Sequence, residues 1–321
     1  LARAGAAAPP VLSWRRTMSL LSLIRRVAPT ALALEAPRQQ VRWSYGELHQ
    51  RVRQLAGGLR ELGVGKGDVV ASDLPNVCEN LLLQLAVAHL GASFASAKDE
   101  KSLLAAVGEV RCAVVQSPEG SWMWGLAKTA PRAVRLDMDG AGAETGGFPA
   151  FSELAAHAPD THDEAAAPEG LFASYGGSAL SHEHAVLLGA AAAAGLGSTS
   201  ADKTCVSITL VHAFGMGSGV GGALSSGGAV VLPAADGIRG CGDPKQRAEV
   251  TAAVLGETGA TLLIADAHII KNMPSAGASS ATMSALALRG GLVKVSSGTE
   301  IFDAGLEYAG VPLRSIGKKP S

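Results

Sequence analysis

The sequence predicts an α/β fold in which mainly parallel sheets are flanked by helices. Two patterns carry this prediction. Leu48, Val52, Leu55, Leu59 and Leu62 recur at spacings of four and three residues, the period of one apolar face of a helix. Apolar runs of strand length then alternate with segments of helix length, and this order builds parallel sheets.

The first strand–helix–strand unit follows that helix. Residues 63–68 end the helix, and residues 69–71 are predicted as a strand. Leu74-Pro75-Asn76 makes a turn before a predicted helix over 78–90, which Gly91 ends. A further helix and a strand at 112–115 continue the pattern, so we expect this part of the chain to form a parallel sheet.

Residues 209–233 (TLVHAFGMGSGVGGALSSGGAVVLP) form the clearest unit. An apolar strand is expected to run up to the residue before His212, followed by a glycine-rich helix and a strand at 229–232. Ligands bind at the carboxyl ends of strands in parallel α/β sheets. His212, Phe214 and Gly215 are therefore predicted to border a substrate pocket, although packing of the turn around His212 explains the histidine equally well.

Composition separates classes of function. The 321 residues carry 27 basic and 28 acidic side chains, so no general field attracts nucleic acid. The chain is long enough to bury a large core. A buried helix that runs into a strand explains the apolar stretch 81–97 better than a membrane span. The dispersed cysteines are predicted to be buried free thiols rather than disulfides or metal ligands: Cys78, Cys112, Cys205 and Cys241.

Residues 1–35 form a predicted N-terminal extension. They contain five arginines and no acid before Glu35, the composition of an organelle transit segment. A mitochondrial location is expected, in the matrix or at the matrix side of the inner membrane, with a plastid as the alternative. Within the extension, residues 18–27 favour a short amphipathic helix that either packs on its own domain or contacts a membrane surface.

Residues 36–321 are predicted to form one truncated large domain. Its segment 117–168 is rich in Gly, Pro, Ala and Asp. We expect mostly loop there, apart from a helix at 151–156.

Two runs of sequence resemble motifs of the adenylate-forming superfamily, the acyl-CoA synthetases and their relatives. Residues 43–92 contain, in order, S-Y-x-E-L, L-G, G-D-x-V, L-P-N and L-G-A. Residues 209–233 resemble the run L-P-x-x-H-x-F-G…G-A-x-V-V-L-P. The resemblance implies the N-terminal large domain of such an enzyme, in which His212 and Phe214 border an acyl and pantetheine pocket.

The resemblance also implies a phosphate-binding loop within 170–188, where the sequence departs from the family. The family has a Ser, Thr and Gly loop that ends in Pro-Lys-Gly, and its backbone amides and lysine hold the phosphates of ATP. Here the flanking strands fit, but the loop is shorter and lacks lysine and arginine. Gly176, Gly177 and Ser178 are the remaining candidates for cofactor binding, and an ordinary turn explains them as well.

Family members also require a Tyr-Gly-x-Thr-Glu motif whose glutamate helps to hold magnesium. Residues 297–300 are similar, but they directly follow the strand expected at 288–293, so we assign 296–299 to that strand's end. The family's ribose aspartate and lysine-bearing C-terminal domain have no counterpart in these 321 residues. Enzymes supply roughly 8–23 kcal/mol, and one aimed donor about 3–4 kcal/mol. We therefore expect no adenylation by this chain alone, and we assign no catalytic residue and no cofactor.

Other polar groups give weaker signals. His182 and His184 are two residues apart at a loop–helix junction, where histidines more often cap or face solvent, so no metal site is predicted. Asp266 and His268 follow a predicted strand, and the same caution applies to them as to His212. The glycines over 215–222 do not follow the order G-x-G-x-x-G, which disfavours a dinucleotide site.

These observations favour a non-catalytic accessory or structural subunit of a large mitochondrial assembly, such as a respiratory complex, the ATP synthase or a ribosome. Its partners are then other protein subunits, and no nucleic acid is expected. Two alternatives stay open. The chain is an acyl or acyl-CoA binding module with a pocket around His212 and Phe214, or a residual acyl-CoA synthetase completed by a separate chain. Peripheral membrane contact through residues 18–27 is compatible with each.

Overall fold

The computed structural model describes residues 19–117, 122–137, 148–165, 167, 169–234, 243–273 and 286–319. The helices are α1 Leu20–Ile24, α2 Tyr45–Glu61, α3 Cys78–His89, α4 Glu100–Val107, α5 Met123–Thr129, α6 Phe151–Ala155, α7 His182–Leu196, α8 Gly221–Ser226, α9 Pro244–Thr258 and α10 Ala267–Asn272. The strands are β1 Leu32–Ala36, β2 Val41–Ser44, β3 Val69–Ser72, β4 Ser93–Ser96, β5 Cys112–Ser117, β6 Arg132–Asp137, β7 Leu171–Tyr175, β8 Ser178–Ser181, β9 Lys203–Ser207, β10 Ala229–Val231, β11 Leu262–Asp266, β12 Gly290–Lys294, β13 Glu300–Tyr308 and β14 Val311–Gly317. A π-helical segment, Phe214–Val220, leads directly into α8.

Within the described residues the strands form two sheets, one of eight strands and one of six. Their orders are β13-β14-β12-β11-β9-β10-β1-β2 and β6-β5-β3-β4-β7-β8. The antiparallel pairs are β1 with β2, β13 with β14 and β7 with β8, each at the edge of a sheet. The other pairs are parallel. The mainly parallel α/β class predicted from the sequence is confirmed.

Helix α2 has the buried face that its sequence predicts, and it ends just before residues 63–68, as expected. Ser44 caps its first turn, since its hydroxyl accepts the Glu47 N–H at 3.2 Å while the Glu47 carboxylate accepts the Ser44 N–H at 2.7 Å. The apolar stripe lies in the core, with Leu48, Val52 and Leu55 at most 1% exposed. Spacing alone therefore located this helix and its packed side.

The predicted strand–helix–strand units are also present. Strands β3 and β4, which precede and follow α3 along the chain, pair in parallel. Helix α4 leads into β5, which pairs in parallel with β3. The apolar stretch 81–97 is part of α3 followed by β4. No helix in the described ranges is both long and apolar enough to cross a membrane.

The N-terminal extension is integrated into the fold from Ser19 onward. The apolar side chains of α1 are buried, Leu20 at 1% and Ile24 at 2% exposure. The packing alternative for 18–27 therefore agrees with the structure, and the apolar face that a membrane contact needs is covered. The boundary expected after residue 35 falls inside β1, which pairs with β10 on one side and β2 on the other.

Segment 117–168 contains more regular structure than expected. Helix α6 confirms the helix predicted at 151–156, but α5 and β6 were missed. Strand β6 pairs with β5 along its whole length, and the Trp124 indole N–H of α5 donates to the Gln116 carbonyl of β5 at 2.9 Å. Composition concealed β6, because the strand is stabilised by its pairing with β5 rather than by its own residue types.

Residues 157–165, here called the strap, connect three helices. Asp160 accepts a hydrogen bond from Arg60 of α2 at 2.8 Å. The Ala165 N–H donates to the carbonyl of His89, the last residue of α3, at 3.0 Å. Glu164 accepts a hydrogen bond from the Ser19 hydroxyl at the cap of α1. Burial raises the pKa of the Asp160 carboxyl, but the hydrogen bonds that it accepts from Arg60 and His162 lower the pKa more. The pKa of Asp160 therefore lies well below its usual value.

Candidate functional site

The loop that leads to His212 begins earlier than the sequence predicts. Strand β9 ends at Ser207 rather than at the residue before His212. The cause is Asn76, whose amide nitrogen donates to the Ile208 carbonyl at 2.5 Å and whose amide oxygen accepts the Leu210 N–H at 2.8 Å. These bonds satisfy the backbone groups after Ser207 from outside the sheet, so the ladder stops there.

A buried glutamine joins this loop to the smaller sheet. Gln84 of α3 donates to the Leu210 carbonyl at 3.2 Å and accepts a hydrogen bond from the Tyr175 hydroxyl at the end of β7 at 2.5 Å. Both side chains are buried. The loop before His212 and the end of β7, which precedes Gly176, are thus connected through the buried Gln84 side chain.

His212 lies exposed in the loop at the carboxyl edge of the larger sheet. The Phe214 N–H donates to its Nδ1 at 2.9 Å, so the neutral imidazole carries its proton on Nε2. Partial desolvation of the ring lowers the pKa of His212, and the positive charge of Lys294 lowers it further. Phe214 is only 3% exposed. The exposed polar group at this position is therefore an Nε2–H donor, and Phe214 and Gly215 form buried packing behind it.

Lys294 is a neighbour of this site that the sequence analysis missed. It is the last residue of β12, and its Nζ donates to the Gly298 carbonyl at 2.5 Å and lies 5.9 Å from the centroid of the Phe214 ring. Burial lowers its pKa. A lysine at the carboxyl end of an otherwise apolar strand was the available signal.

Residues 296–299 form the turn after β12, in agreement with their assignment to that strand's end. Glu300 opens β13 and is exposed. The hairpin of β13 and β14 was not predicted; it places β14 parallel to β12 at the edge of the larger sheet.

The candidate phosphate-binding residues form a tight hairpin. Gly176 and Gly177 are the whole connection between β7 and β8, with φ angles of +56° and +87°, and Ser178 is already the first residue of β8. Two residues with positive φ match the preferred turn of a two-residue hairpin. The Gly176 N–H donates to the Ser96 carbonyl at 2.8 Å. One of the amides nominated for phosphate therefore bonds to the neighbouring strand.

The glycines after His212 serve close packing. A Cβ on Gly189 of α7 would lie 2.4 Å from the carbonyl carbon of Gly221, so these helices touch backbone to backbone. A Cβ on Gly215 would lie 2.2 Å from the Thr209 oxygen, and one on Gly219 would lie 3.0 Å from Val206 of β9. The segment therefore packs against α7 on one side and the sheet on another.

Comparison with known proteins bears on this arrangement. Residues 25–100 match the family described as AMP-binding enzyme. An acetyl-coenzyme A synthetase of Thiobacillus denitrificans is 36% identical over 115 residues, which cover 35% of this chain and 18% of that protein. An acetoacetyl-coenzyme A synthetase of Rhizobium meliloti is 32% identical over 121 residues, covering 37% of this chain and 19% of that protein. The chain thus matches less than one fifth of the length of these relatives.

Solved structures share the fold over most of the chain. Apo MbtA of Mycobacterium smegmatis superposes with a TM-score of 0.68 at 22% identity, covering 88% of this chain and 53% of that one. The anthranilate CoA ligase AuaEII, in complex with anthranoyl-AMP, gives 0.72 at 17% identity, covering 94% and 58%. Residues 25–100 thus carry the sequence pattern of AMP-binding enzymes, and the chain as a whole shares the fold of adenylate-forming enzymes. Its described sheets and helices have the architecture of the N-terminal large domain of these enzymes.

The two histidines after β8 differ in environment. His182 is 2% exposed, and its ring stacks edge-on against Phe172 at 5.5 Å, whereas His184 is exposed. Burial lowers the pKa of His182 to about 4, so it is neutral at pH 7. Across the described ranges, no group of three or more His, Cys, Asp and Glu side chains is placed to hold a metal ion.

Asp266 and His268 have a structural explanation. Asp266 caps α10 by accepting the His268 N–H at 2.9 Å, and it pairs with Arg247 of α9 at 3.0 Å. Arg247 also donates to the Ser207 carbonyl at 3.0 Å. These contacts connect the ends of β9 and β11 to the adjacent helices.

Three cysteines confirm the prediction of buried free thiols. Cys78, Cys112 and Cys205 are unpaired and buried, and burial raises the pKa of Cys112 and Cys205 to about 12. Thiols of this kind are protonated at neutral pH and unreactive. Cys241 lies outside the described residues.

A cavity of about 620 Å³ lies between α2, α3 and α6. Leu82 and Phe151 contribute apolar surface, and Glu79 and Arg51 contribute charge. The Arg51 guanidinium lies over the Trp43 ring at 4.6 Å. These lining residues differ from those predicted for an acyl pocket.

Proposed function

We propose that this chain works without adenylation chemistry, as an accessory subunit of a larger mitochondrial assembly. The hairpin between β7 and β8 carries the proposal. At the position where the family resemblance implies a phosphate-binding loop with a lysine, the chain has the two-residue turn Gly176-Gly177, and residues 171–181 include no lysine or arginine.

The geometry of this turn supports the proposal in two ways. A phosphate cradle needs several amides that converge on one point. The Gly176 amide instead donates to the Ser96 carbonyl, and Ser178 pairs with Tyr175 across the hairpin. A missing preorganised donor costs about 3–4 kcal/mol of transition-state stabilisation, a factor of roughly 10²–10³ in rate.

The test is ATP–pyrophosphate exchange by the purified chain with acetate, acetoacetate, benzoate and decanoate as substrates. The acetyl-coenzyme A synthetase of Thiobacillus denitrificans serves as the positive control. We expect no exchange above the enzyme-free blank. Exchange that co-purifies with the chain and is lost on Gly176→Pro substitution would overturn the non-catalytic role.

The accessory role is tested separately by native-gel fractionation of gently solubilised mitochondria, followed by mass spectrometry. We expect the chain to migrate with a complex many times its mass of 32.4 kDa. Migration near its own mass in mitochondria that contain it would contradict the role as a subunit.

The arginine-bearing N-terminal segment supports the mitochondrial location. Because Leu20–Ile24 is buried in the core, a targeting segment can be removed only upstream of Ser19 without loss of packing. Import into isolated mitochondria followed by N-terminal mass spectrometry tests this. We expect a mature terminus at or before Ser19; failure of import would argue against the location.

One observation favours an acyl or acyl-CoA binding module as a second candidate function. His212 exposes an Nε2–H donor at the carboxyl edge of the larger sheet, beside Lys294. Decanoyl-CoA is then expected to raise the melting temperature, and His212→Ala is expected to abolish the shift. Exchange activity that appears only after addition of a separate chain bearing the superfamily's C-terminal domain would favour a residual synthetase instead.

A further inference from the structure

The cavity between α2, α3 and α6 lies at the edge of both sheets. Its walls include Trp43 of β2 and Leu136 of β6, and each of these strands is the last one at its side of a sheet. All lining residues fall within 43–156. The phosphate and acyl sites that the family resemblance implies fall within 170–233, and the β7–β8 hairpin is at the opposite edge of the smaller sheet. The cavity is therefore a separate place in the molecule.

Apolar side chains form much of the cavity wall, and the packing around them fixes their positions. Leu82, Leu136 and Phe151 are at most 6% exposed. A Cβ on Gly58 of α2 would lie 2.6 Å from the Leu154 carbonyl oxygen, so α2 and α6 touch backbone to backbone. The volume of about 620 Å³ is within the roughly 300–1,000 Å³ typical of small-molecule sites. The cavity thus has the size and the rigid apolar wall that a small organic ligand needs.

Two of the three charged side chains in the lining compensate each other. Arg51 of α2 lies over the Trp43 ring at 4.6 Å, where the face of the ring attracts a cation. Glu47, one turn earlier on α2, interacts electrostatically with Arg51, and its carboxylate also accepts the Ser44 N–H. This pair of opposite charges leaves the third charged group, Glu79, without a counter-charge in the lining.

Glu79 is a fixed carboxylate without an ion pair in the described part of the chain. The Gln39 side-chain amide donates to its Oε2 at 2.7 Å and accepts the Cys78 N–H at 2.8 Å. The Cys78 thiol also interacts with the carboxylate but carries no positive charge. Glu79 is the second residue of α3, where the helix dipole favours a negative charge. None of the ion pairs among the described residues includes it. An unpaired negative charge in a largely apolar cavity favours an incoming cation.

We propose that this cavity binds a small organic cation, an amine on an apolar body, through Glu79. The apolar body lies against Leu82 and Phe151, and the ammonium group pairs with the carboxylate. An ammonium group has three N–H donors, and the side-chain amides of Gln50 and Gln54 in the lining offer oxygens for the donors that Glu79 leaves. The inference goes beyond the accessory role and the acyl-binding alternative, and it depends on neither.

Calorimetric titration of the full chain with 4-phenylbutylamine and 4-phenylbutanol tests the site, because the two probes share an apolar body and differ in the charge of the head group. At pH 7 the amine is a cation, since an alkylammonium group has a pKa of about 10. We expect the amine to bind tenfold or more tightly than the alcohol. Equal affinities, tighter binding of the alcohol, or no binding of the amine would overturn the proposal.

Two glutamate variants locate the charge. Glu79→Gln keeps the size of the side chain and should weaken amine binding at least tenfold while leaving alcohol binding unchanged. Glu100→Gln, the same substitution in the first turn of α4 and outside the cavity lining, should change neither. Unaltered amine binding by the Glu79→Gln protein would contradict the assignment of the charge.

A third variant locates the apolar body of the ligand. Ser152 is an exposed residue of the cavity lining, so Ser152→Trp can occupy the cavity from its outer side and should weaken the binding of both probes. Ser200→Trp, at an exposed position outside the lining, should weaken neither. Full affinity in Ser152→Trp would show that the probes bind elsewhere.

The salt dependence of binding to the unaltered protein keeps the site testable should Glu79→Gln fail to fold. Salt screens an ion pair, so the affinity for the amine should fall as sodium chloride is raised, whereas that for the alcohol should not fall. An amine affinity that does not respond to salt would argue against pairing with a carboxylate. ATP–pyrophosphate exchange and native-gel fractionation report on the proposed function whichever way these titrations turn out.

Discussion

The Gly176-Gly177 hairpin and the glycine-rich segment after His212 use glycine for different physical reasons. In the hairpin, the φ angles are positive and an added Cβ would meet nothing within 4 Å. In the segment, Gly215 lies against the Thr209 backbone, where a Cβ has no space. In the hairpin, glycine avoids the backbone strain of a positive φ angle. In the segment after His212, glycine leaves the space that lets helices and sheet pack closely. Only the packed segment is fixed by several elements, so substitutions should affect it much more than the hairpin.

The largest effect is expected for Gly189→Ala. The new methyl would lie 2.4 Å from the backbone of Gly221, so α7 and α8 must separate, which should lower the free energy of unfolding by about 3 kcal/mol or more. Denaturant unfolding measures the change. Gly125→Ala is the matched control, because Gly125 is also helical but its Cβ would meet nothing within 4 Å. It should stabilise the protein by about 0.5–1 kcal/mol, and equal losses at both positions would contradict the packing explanation.

The second effect concerns His182, which directly follows the hairpin. Its pKa falls from the usual 6.5 to about 4 on folding, so the unfolded chain binds the proton more readily between these values. The stability that the neutral His182 provides is fully present above about pH 6.5. As the pH falls toward 4, the free energy of unfolding decreases by about 3 kcal/mol in total.

Denaturant midpoints measured from pH 7 to pH 4 test this expectation. His182→Phe, which keeps a ring beside Phe172, should flatten the pH dependence over that range. His184→Gln, at the exposed neighbour, should leave it unchanged. An equally steep decline in His182→Phe would show that other groups cause it.

A smaller loss is expected when the loop before His212 is released. Asn76→Ala removes the partner of the buried Leu210 N–H, which should cost about 2 kcal/mol in the free energy of unfolding. Asn272→Ala removes one exposed hydrogen bond, to His268, and should change stability by less than about 0.5 kcal/mol. Hydrogen exchange of the Leu210 amide gives a local readout, and unchanged protection of that amide in Asn76→Ala would show that Asn76 does not hold the loop.

The smallest effect is expected in the hairpin. Gly177→Ala places a Cβ at a φ of +87° and should cost about 1–2 kcal/mol through backbone strain alone. Gly176→Asn should be neutral, because asparagine tolerates this conformation and Asn-Gly is a preferred two-residue turn. Thermal unfolding distinguishes the two. A loss in Gly176→Asn as large as that in Gly189→Ala would remove the contrast between the two regions.

The parts of the fold that were predictable from sequence are those governed by neighbours along the chain. The apolar stripe of α2 identified the helix, and the alternation over β3, α3 and β4 identified the parallel sheet. The end of β9 was misplaced because Asn76, more than a hundred residues earlier, satisfies the backbone after it. Strand β6 was missed for a similar reason, since its ladder with β5 and not its composition stabilises it.

The candidate site was predictable in part. Its place at the carboxyl edge followed from the strand order, and the structure has His212 in that loop. Lys294 was missed because β11 and β12 bring it there from the far end of the described chain. The sequence showed that the loop between β7 and β8 is shorter than the phosphate-binding loop of the family. The hydrogen bond from the Gly176 N–H to the Ser96 carbonyl could not be predicted, because it depends on the pairing of β4 with β7.

The burial of α1 has a consequence for biosynthesis. Leu20 packs beside Gly221, and the cap of α1 is held by Glu164 of the strap. Roughly 200 residues therefore separate this apolar helix from its partner α8, an interval of about 10–40 s at ordinary translation rates. During that time Leu20–Ile24 is exposed on a nascent chain. A chaperone that binds short apolar segments is thus expected to hold this helix until α8 has emerged from the ribosome.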